Sequence, residues 1–211
     1  MQQLKVPFLN EAIEGEPIIN ASLALDKLEK HLLDYVPWPE YPYKPQVQFA
    51  IAHSNDCIFL KYYVDEKFIR AATGEINGPV WQDACVECFI SFDDKGYYNC
   101  EFNCIGTSLL GFGKGRTERE AIPEEVVNKI KYGVFISNQI PGIIHWELVI
   151  AMPLDVFIHH RIPSLKGKNC KANFYKCGDG LQEPHFVSWA EIKSPQPDFH
   201  QPQFFKHLVF D

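Results

Sequence analysis

The chain has 211 residues, 46% hydrophobic and 22% charged, with 27 acidic against 20 basic side chains and a net charge of −7. That is ample apolar material for a core and too little charge for a disordered chain. The negative field excludes a nucleic-acid backbone as a general partner, and apolar runs such as Leu148 to Met152 are far too short for a membrane span.

The opening stretch MQQLKVPFLNEAIEGEP has one lysine and no apolar signal core. The expectation is a cytoplasmic protein, or a periplasmic or secreted one if a leader has been removed. Residues 1–19 read as an extended lead-in closed by Glu16-Pro17. Leu25, Leu28 and Leu32 then recur at helical spacing, which predicts a helix over 20–33 capped by Asn20 or Ser22. The lead-in and helix fill residues 1–35, and residues 36–211 read as one domain. Its first segment, Val36 to Pro45, carries four prolines. It reads as an ordered connector whose Trp38, Tyr41 and Tyr43 pack on the domain edge.

After Pro45 the pattern turns to strands. Alternation predicts strands over 46–53 and 57–64, with a turn at Ser54-Asn55-Asp56. Residues 84–92 and 97–105 form a predicted hairpin across Asp93-Asp94-Lys95-Gly96. Further strands are predicted over 130–137, 143–151, 169–176, 185–192 and 204–210, with a short helix after Pro153. The glycine-rich stretch Gly111 to Arg119 reads as a flexible basic loop over the sheet edge. Lys176, Asp179 and His185 read as a structural loop cluster. Many short strands between turns imply an all-β fold, an antiparallel β-sandwich of the immunoglobulin or jelly-roll kind, with a short N-terminal helix.

Seven cysteines leave at least one unpaired, and reduced structural thiols are the simplest reading. Cys85 and Cys88 form a C-x-x-C, but on a strand they point to opposite faces. Cys100 and Cys104 share a face at about 13 Å, too far for one ion. No metal ligands are assigned.

Strand parity sorts the hairpin. Val86, Cys88 and Ile90 with Tyr98, Cys100 and Phe102 should meet the core. Glu87, Asn99, Glu101 and Asn103 then gather on the outer face, beside Trp81 on a loop. Such a face is either a wet sheet surface or a sugar-binding surface, since amides and carboxylates bind hydroxyls and a ring offers a stacking platform.

Val80-Trp-Gln-Asp-Ala-Cys-Val-Glu-Cys-Phe-Ile90 resembles the tryptophan-to-glutamate core of carbohydrate-binding module family 9. Trp146 to Pro153, Val187-Ser-Trp189 and Pro202 to Phe210 resemble its later strands, so the resemblance covers about 35–211. Asn173 to Asp179 and Pro184 to Trp189 resemble a stand-alone bacterial branch. The resemblance implies a non-catalytic β-sandwich that binds a poly- or oligosaccharide in the service of polysaccharide degradation. Family members sandwich a sugar between two tryptophans. Trp81 corresponds to the first and Phe199 is the match for the second. Glu87 matches the family's glutamate, and Glu101 and Asn103 match an arginine–asparagine pair, with a reversal of charge at Glu101. Arg70 and Arg116 are either solvated arginines or further ligand contacts. Family members also hold structural calcium, which stays open here because no D-x-D-x-D-G loop is present. Two alternatives remain. One is a glycoside hydrolase using Glu87 and Glu101, against which an open sheet face would keep both pKa values low. The other is a DOMON-like haem or sugar domain; haem needs an axial His or Met, and Met152, next to a proline, reads as core.

The parity argument yields a covalent expectation: mass spectrometry under non-reducing conditions should find no Cys85–Cys88 disulfide.

Overall fold

The computed structural model describes residues 3–9 and 17–211. The parts of the expected lead-in at 1–2 and 10–16 lie outside the described residues. Two sheets face each other. The larger runs β1 (Leu4–Val6), β13 (Lys206–Phe210), β11 (Asn169–Cys177), β5 (Cys85–Asp93), β6 (Gly96–Asn103), β7 (Ser108–Gly113) and β8 (Glu120–Ala121), with β12 (Phe186–Ser188) also paired to β11. The smaller runs β2 (His31–Leu32), β3 (Gln46–His53), β4 (Cys57–Glu66), β10 (Ile143–Pro153) and β9 (Lys131–Ile140). All pairings are antiparallel except β1 with β13. The expected all-β sandwich is what forms.

Alternation places the core. Phe49, Ile51, Leu60, Tyr62, Trp146, Leu148 and Ile150 from the small sheet meet Val86, Cys88, Ile90, Tyr98, Phe102 and Phe174 from the large one. Phe49 stacks on Phe174 with centroids 4.0 Å apart. Trp146 is fully buried, as its parity predicts, and so is Met152, which is enclosed between the sheets and not available to a haem. Cys85 and Cys88 fall in separate apolar clusters on opposite sides of the large sheet.

Both sheets are covered on their outer faces too. Helix α1 (Ile18–Leu25) lays Ala21 and Leu25 on Ala50, Phe59 and Val149 of the small sheet. The helix is shorter than the leucine spacing predicts, and neither Asn20 nor Ser22 caps it. It ends where Asp26 accepts hydrogen bonds from Lys61 Nζ and Tyr63 Oη, both at 2.7 Å, and His31–Leu32 then joins the sheet as β2. Leu28 still packs on the apolar face, but Leu32 is exposed.

On the large sheet the cover is the proline-aromatic connector and the segment before β13. Trp38, Ile192, Phe199 and Phe205 pack on Val80, Cys85, Phe89, Tyr97 and Tyr175. Trp38 donates its indole N–H to the Ser194 carbonyl at 2.9 Å. Every residue of β6 is buried as a result, the state of a strand covered on both faces. The predicted strand over 185–192 shortens to β12, because Asn173 Oδ1 accepts the Ala190 N–H at 2.8 Å and turns the chain. The glycine-rich stretch begins as a paired strand, β7, rather than a loop. The segment after Pro153 is one 3-10 turn, Leu154–Val156, and a one-turn helix α2 (Glu124–Val127) escaped the sequence pattern.

One ion pair crosses the core. Lys176 and Glu66 have no exposed side-chain surface and meet at 3.0 Å. Lys176 Nζ also donates to the Cys177 carbonyl at 2.8 Å and lies 2.8 Å from His185 Nε2. Glu66 Oε1 accepts the Trp146 indole N–H at 2.7 Å. Burial, with Lys176 adding to it, pushes His185 down to about 3, so its imidazole is neutral and accepts from the ammonium. Lys176 and His185 therefore belong to the interior, not to a surface loop.

Lys176→Met should cost about 3–5 kcal/mol, because Glu66 is left buried without a counter-charge. Glu66→Gln added to it should recover most of that loss, since the amide oxygen still serves Trp146. Urea denaturation of both variants measures this, and a double variant no more stable than the single one would contradict it.

Candidate functional site

The outer face of β5 and β6 forms the floor of a cavity of about 370 Å³, a volume suited to a small molecule. Glu87 and Glu101 are direct cross-strand partners and point into it. Trp81 stands on the turn Val80–Gln82 before β5 and is 39% exposed. Arg116, Asp179, Asp198 and Phe199 complete much of the rim.

The sequence reading treats this face as open to water. It is not: Glu87 is 3% and Glu101 5% exposed. The second apolar cluster folds over the sheet and closes it, which local alternation cannot reveal. Burial, reinforced by the neighbouring Glu101, drives the Glu87 carboxyl well above its ordinary range. Burial also lifts Glu101 to about 7, even though Asn99 and Arg119 pull it down. Asp179 is raised by burial to about 6. The expectation of two low carboxyl pKa values is therefore overturned; near neutrality the pair holds protons as well as charge.

A strut fixes Glu101. Its Oε1 accepts Asn99 Nδ2 at 2.8 Å, and Asn99 Oδ1 accepts Arg119 Nε at 2.9 Å and Nη2 at 2.6 Å. Arg119 also donates to the carbonyls of Tyr97, Gly111 and Gly115 and lies over the Tyr97 ring at 4.5 Å. A side chain at Gly111 would put its Cβ 2.8 Å from Asn99 Oδ1, so the strut needs glycine there. Arg119 spends its donors inside the protein and acts as a brace. Its signal in the sequence was limited to the basic end of the glycine-rich stretch.

Glu87 is held by sulfur. Cys177 Sγ donates to Glu87 Oε1 at 3.1 Å, and Cys85 Sγ lies 3.9 Å from the same oxygen. Both contacts fall on Oε1, which leaves Oε2 to the cavity. Cys177 Sγ also lies 3.5 Å from the Trp81 carbonyl, and the Asp179 N–H donates to that carbonyl at 3.2 Å. The β11 terminus thus holds the tryptophan turn in place.

Two expected site residues lie elsewhere. Arg70 Nη1 binds Asp83 Oδ1 at 2.6 Å, and Asn103 Nδ2 binds Asp83 Oδ2 at 3.0 Å and the Thr73 carbonyl at 2.9 Å. Both side chains serve a buried hub behind the cavity. Burial opposes ionisation of Asp83, but donation from Ala72, Thr73 and Asn103 outweighs it and holds its pKa below the usual range. Phe199 does line the cavity, but its ring stacks on Tyr175 at 4.2 Å and 9° and is 8% exposed. A larger ring would have to displace that packing.

Among the described residues, the set of three or more metal-binding groups that converges is Cys85, Glu87 and Cys177. Two thiols and one carboxylate do not make calcium's shell of oxygens.

A family model for carbohydrate-binding family 9 matches residues 18–210. A candidate carbohydrate-binding protein from Bacteroides uniformis is 40% identical, with all of this chain and 99% of that one aligned at a TM-score of 0.92. Two structures of a family 9 carbohydrate-binding module from Caldicellulosiruptor kristjanssonii, one in complex with glucose and one with cellotriose, share the fold. They align all of this chain with 96% and 94% of theirs, at 11% identity and TM-scores of 0.60 and 0.62. No curated protein matches the chain. No helix of the described residues is long and apolar enough to cross a membrane.

The raised carboxyl pKa values have a measurable sign. The folded chain binds protons at Glu101 more tightly than the unfolded chain, so this group's contribution to stability is present below about 4.5 and is lost as pH rises through about 7. Against Glu101→Gln, the wild type should lose up to about 3 kcal/mol of relative stability across that window. Thermal melts of both proteins at a series of pH values check this; parallel curves would contradict it.

Proposed function

The chain belongs to carbohydrate-binding family 9, and on that premise we propose that it binds a mono- or oligosaccharide in the cavity between Trp81 and the Glu87–Glu101 pair, without catalysis of its own. The observation that carries the reading is an exposed tryptophan ring beside buried carboxyls with free hydrogen-bonding capacity. The ring can take the C–H face of a pyranose, and Glu87 Oε2 and Glu101 can bind its hydroxyls. A carboxyl that holds its proton donates, and one that has lost it accepts, so the pair suits hydroxyls of either polarity. Arg116 and Asp179 line the same cavity, and in this reading they would meet a second sugar unit. The role served would be retention of a glycan during polysaccharide breakdown. The glucose and cellotriose bound by the Caldicellulosiruptor module make those two sugars the first ligands to titrate.

The raised pKa values favour a second reading, hydrolysis with Glu101 as general acid. Geometry weighs against it. A glycosidase places its two carboxylates on either side of the scissile bond. Glu87 and Glu101 stand side by side on one floor, as adjacent cross-strand partners whose Cβ atoms are about 5 Å apart. A sugar lying on that floor has both on the same side. Release of nitrophenol from aryl glycosides, abolished by Glu101→Gln, would establish the hydrolytic reading.

Trp81→Ala should weaken saccharide binding tenfold or more, comparable with the roughly 1–3 kcal/mol of a stacked ring. Its exposed position leaves the fold intact. Glu87→Gln should weaken binding less, since an acceptor remains. Calorimetric titration decides: a parent that binds no saccharide, or a Trp81→Ala protein that binds as tightly as the parent, ends this reading.

A further inference from the structure

The floor beneath Trp81 carries two thiols, beside Glu87, that sugar binding does not account for. Cys85 on β5 and Cys177 on β11 are direct cross-strand partners, and Glu87 follows two residues on, on the same face. The three ligating atoms lie within 4.8 Å of one another. We propose that Cys85, Glu87 and Cys177 bind a thiophilic divalent cation of the zinc class, with the fourth coordination position open to the cavity.

The distances suit a small tetrahedral ion. Zinc binds sulfur at about 2.3 Å and carboxylate oxygen at about 2.0–2.2 Å, which sets ligand-to-ligand edges of roughly 3.5–3.8 Å. The two sulfur–oxygen separations are 3.1 and 3.9 Å, so they bracket that edge. Ligand softness selects the class of metal: two thiols and one carboxylate suit zinc and not calcium or magnesium.

Three acidic groups touch, and the neighbouring cation is turned from them. Lys176 projects to the opposite face of β11, where Glu66 and the Cys177 carbonyl hold its ammonium. On binding, two thiol protons and any proton on Glu87 leave to solvent, and two thiolates and a carboxylate face a dication. The site is already framed, because both sulfurs sit on paired strands. Glu87 and Cys177 also line the cavity, so a water or a ligand hydroxyl can reach the remaining position. The proposal stands apart from saccharide binding: either can fail without the other.

The test uses the full chain, reduced and stripped of metal. Zinc is titrated against a chromophoric chelator, and cobalt is added to a second sample. The expected result is one ion per chain and a thiolate-to-cobalt charge-transfer band in the near ultraviolet. Cys85→Ser, Cys177→Ser and Glu87→Gln should each weaken binding at least tenfold, and Cys170→Ser in the main core should leave it unchanged. Glu87→Gln preserves side-chain shape and keeps the test valid if a cysteine variant folds poorly. Acidification should weaken binding, as protons compete for all three ligands. A reduced protein with no cobalt band overturns the proposal, as does stoichiometric binding that survives in the Cys85→Ser/Cys177→Ser double variant. A Cys85–Cys177 disulfide in the protein as isolated also overturns it.

Discussion

The site depends on one buried carboxylate. Asp83 has no exposed side-chain surface, yet it gathers the Arg70 guanidinium, the N–H groups of Ala72 and Thr73 and the Asn103 amide. Those partners come from the segment after β4 and from the end of β6, so one side chain ties both to the turn that carries Trp81. A charge in a dry interior is tolerable only when its lone pairs are filled, and here several donors fill them. The tryptophan can therefore stand exposed on a turn and still hold one position. To its other side, the Trp81 carbonyl accepts the Asp179 N–H and lies beside the Cys177 thiol. The ring is held from both flanks while its own surface stays free.

The large sheet solves the problem of buried charge in two ways. On the inner face, Lys176 and Glu66 cancel each other, while Trp146 donates to Glu66 and Lys176 donates to the Cys177 carbonyl and His185. On the outer face, Arg119 reaches Glu101 only through Asn99, and burial leads Glu87 and Glu101 to keep protons. The first arrangement is balanced in charge and serves the fold. The second is unsaturated and opens to the cavity. An unsaturated, partly protonated pair is costly to keep in an interior, and its position beneath an exposed ring is what marks the surface as a site.

Much of the sandwich was legible because strand parity is a local property. The period of two sets Glu87 and Glu101 on one face and Cys88 and Cys100 on the other, whatever the rest of the chain does. Coverage is not local. Nothing within residues 84–105 signals that Trp38 and Phe199 will fold over them, so a face that reads as wet is buried. The same gap explains Asn103 and Arg70. Parity puts Asn103 on the right face, but the buried Asp83 lies nearer than the cavity and claims both side chains. Asn99, on the same face and four residues earlier, is the amide that braces Glu101. The convergence of Cys177 with Cys85 required knowing that β11 lies beside β5, a fact of sheet order that no spacing encodes. The helix was overextended for a related reason: its leucine period continues, but β3 recruits His31 and Leu32.

The large sheet has separate apolar clusters on its two faces, and this division bears on how such a protein can change over generations. The main cluster secures the sandwich, and the outer cluster secures the cavity walls. Phe199, Phe186 and the residues around Asp198 draw their packing from the outer cluster alone. Substitutions there can reshape the walls without thinning the sandwich, whereas a change at Cys88 or Phe102 strikes the sandwich directly. Cavity shape and foldability are thus stored in different sets of residues, on opposite sides of the same strands, and selection can act on one while leaving the other at rest.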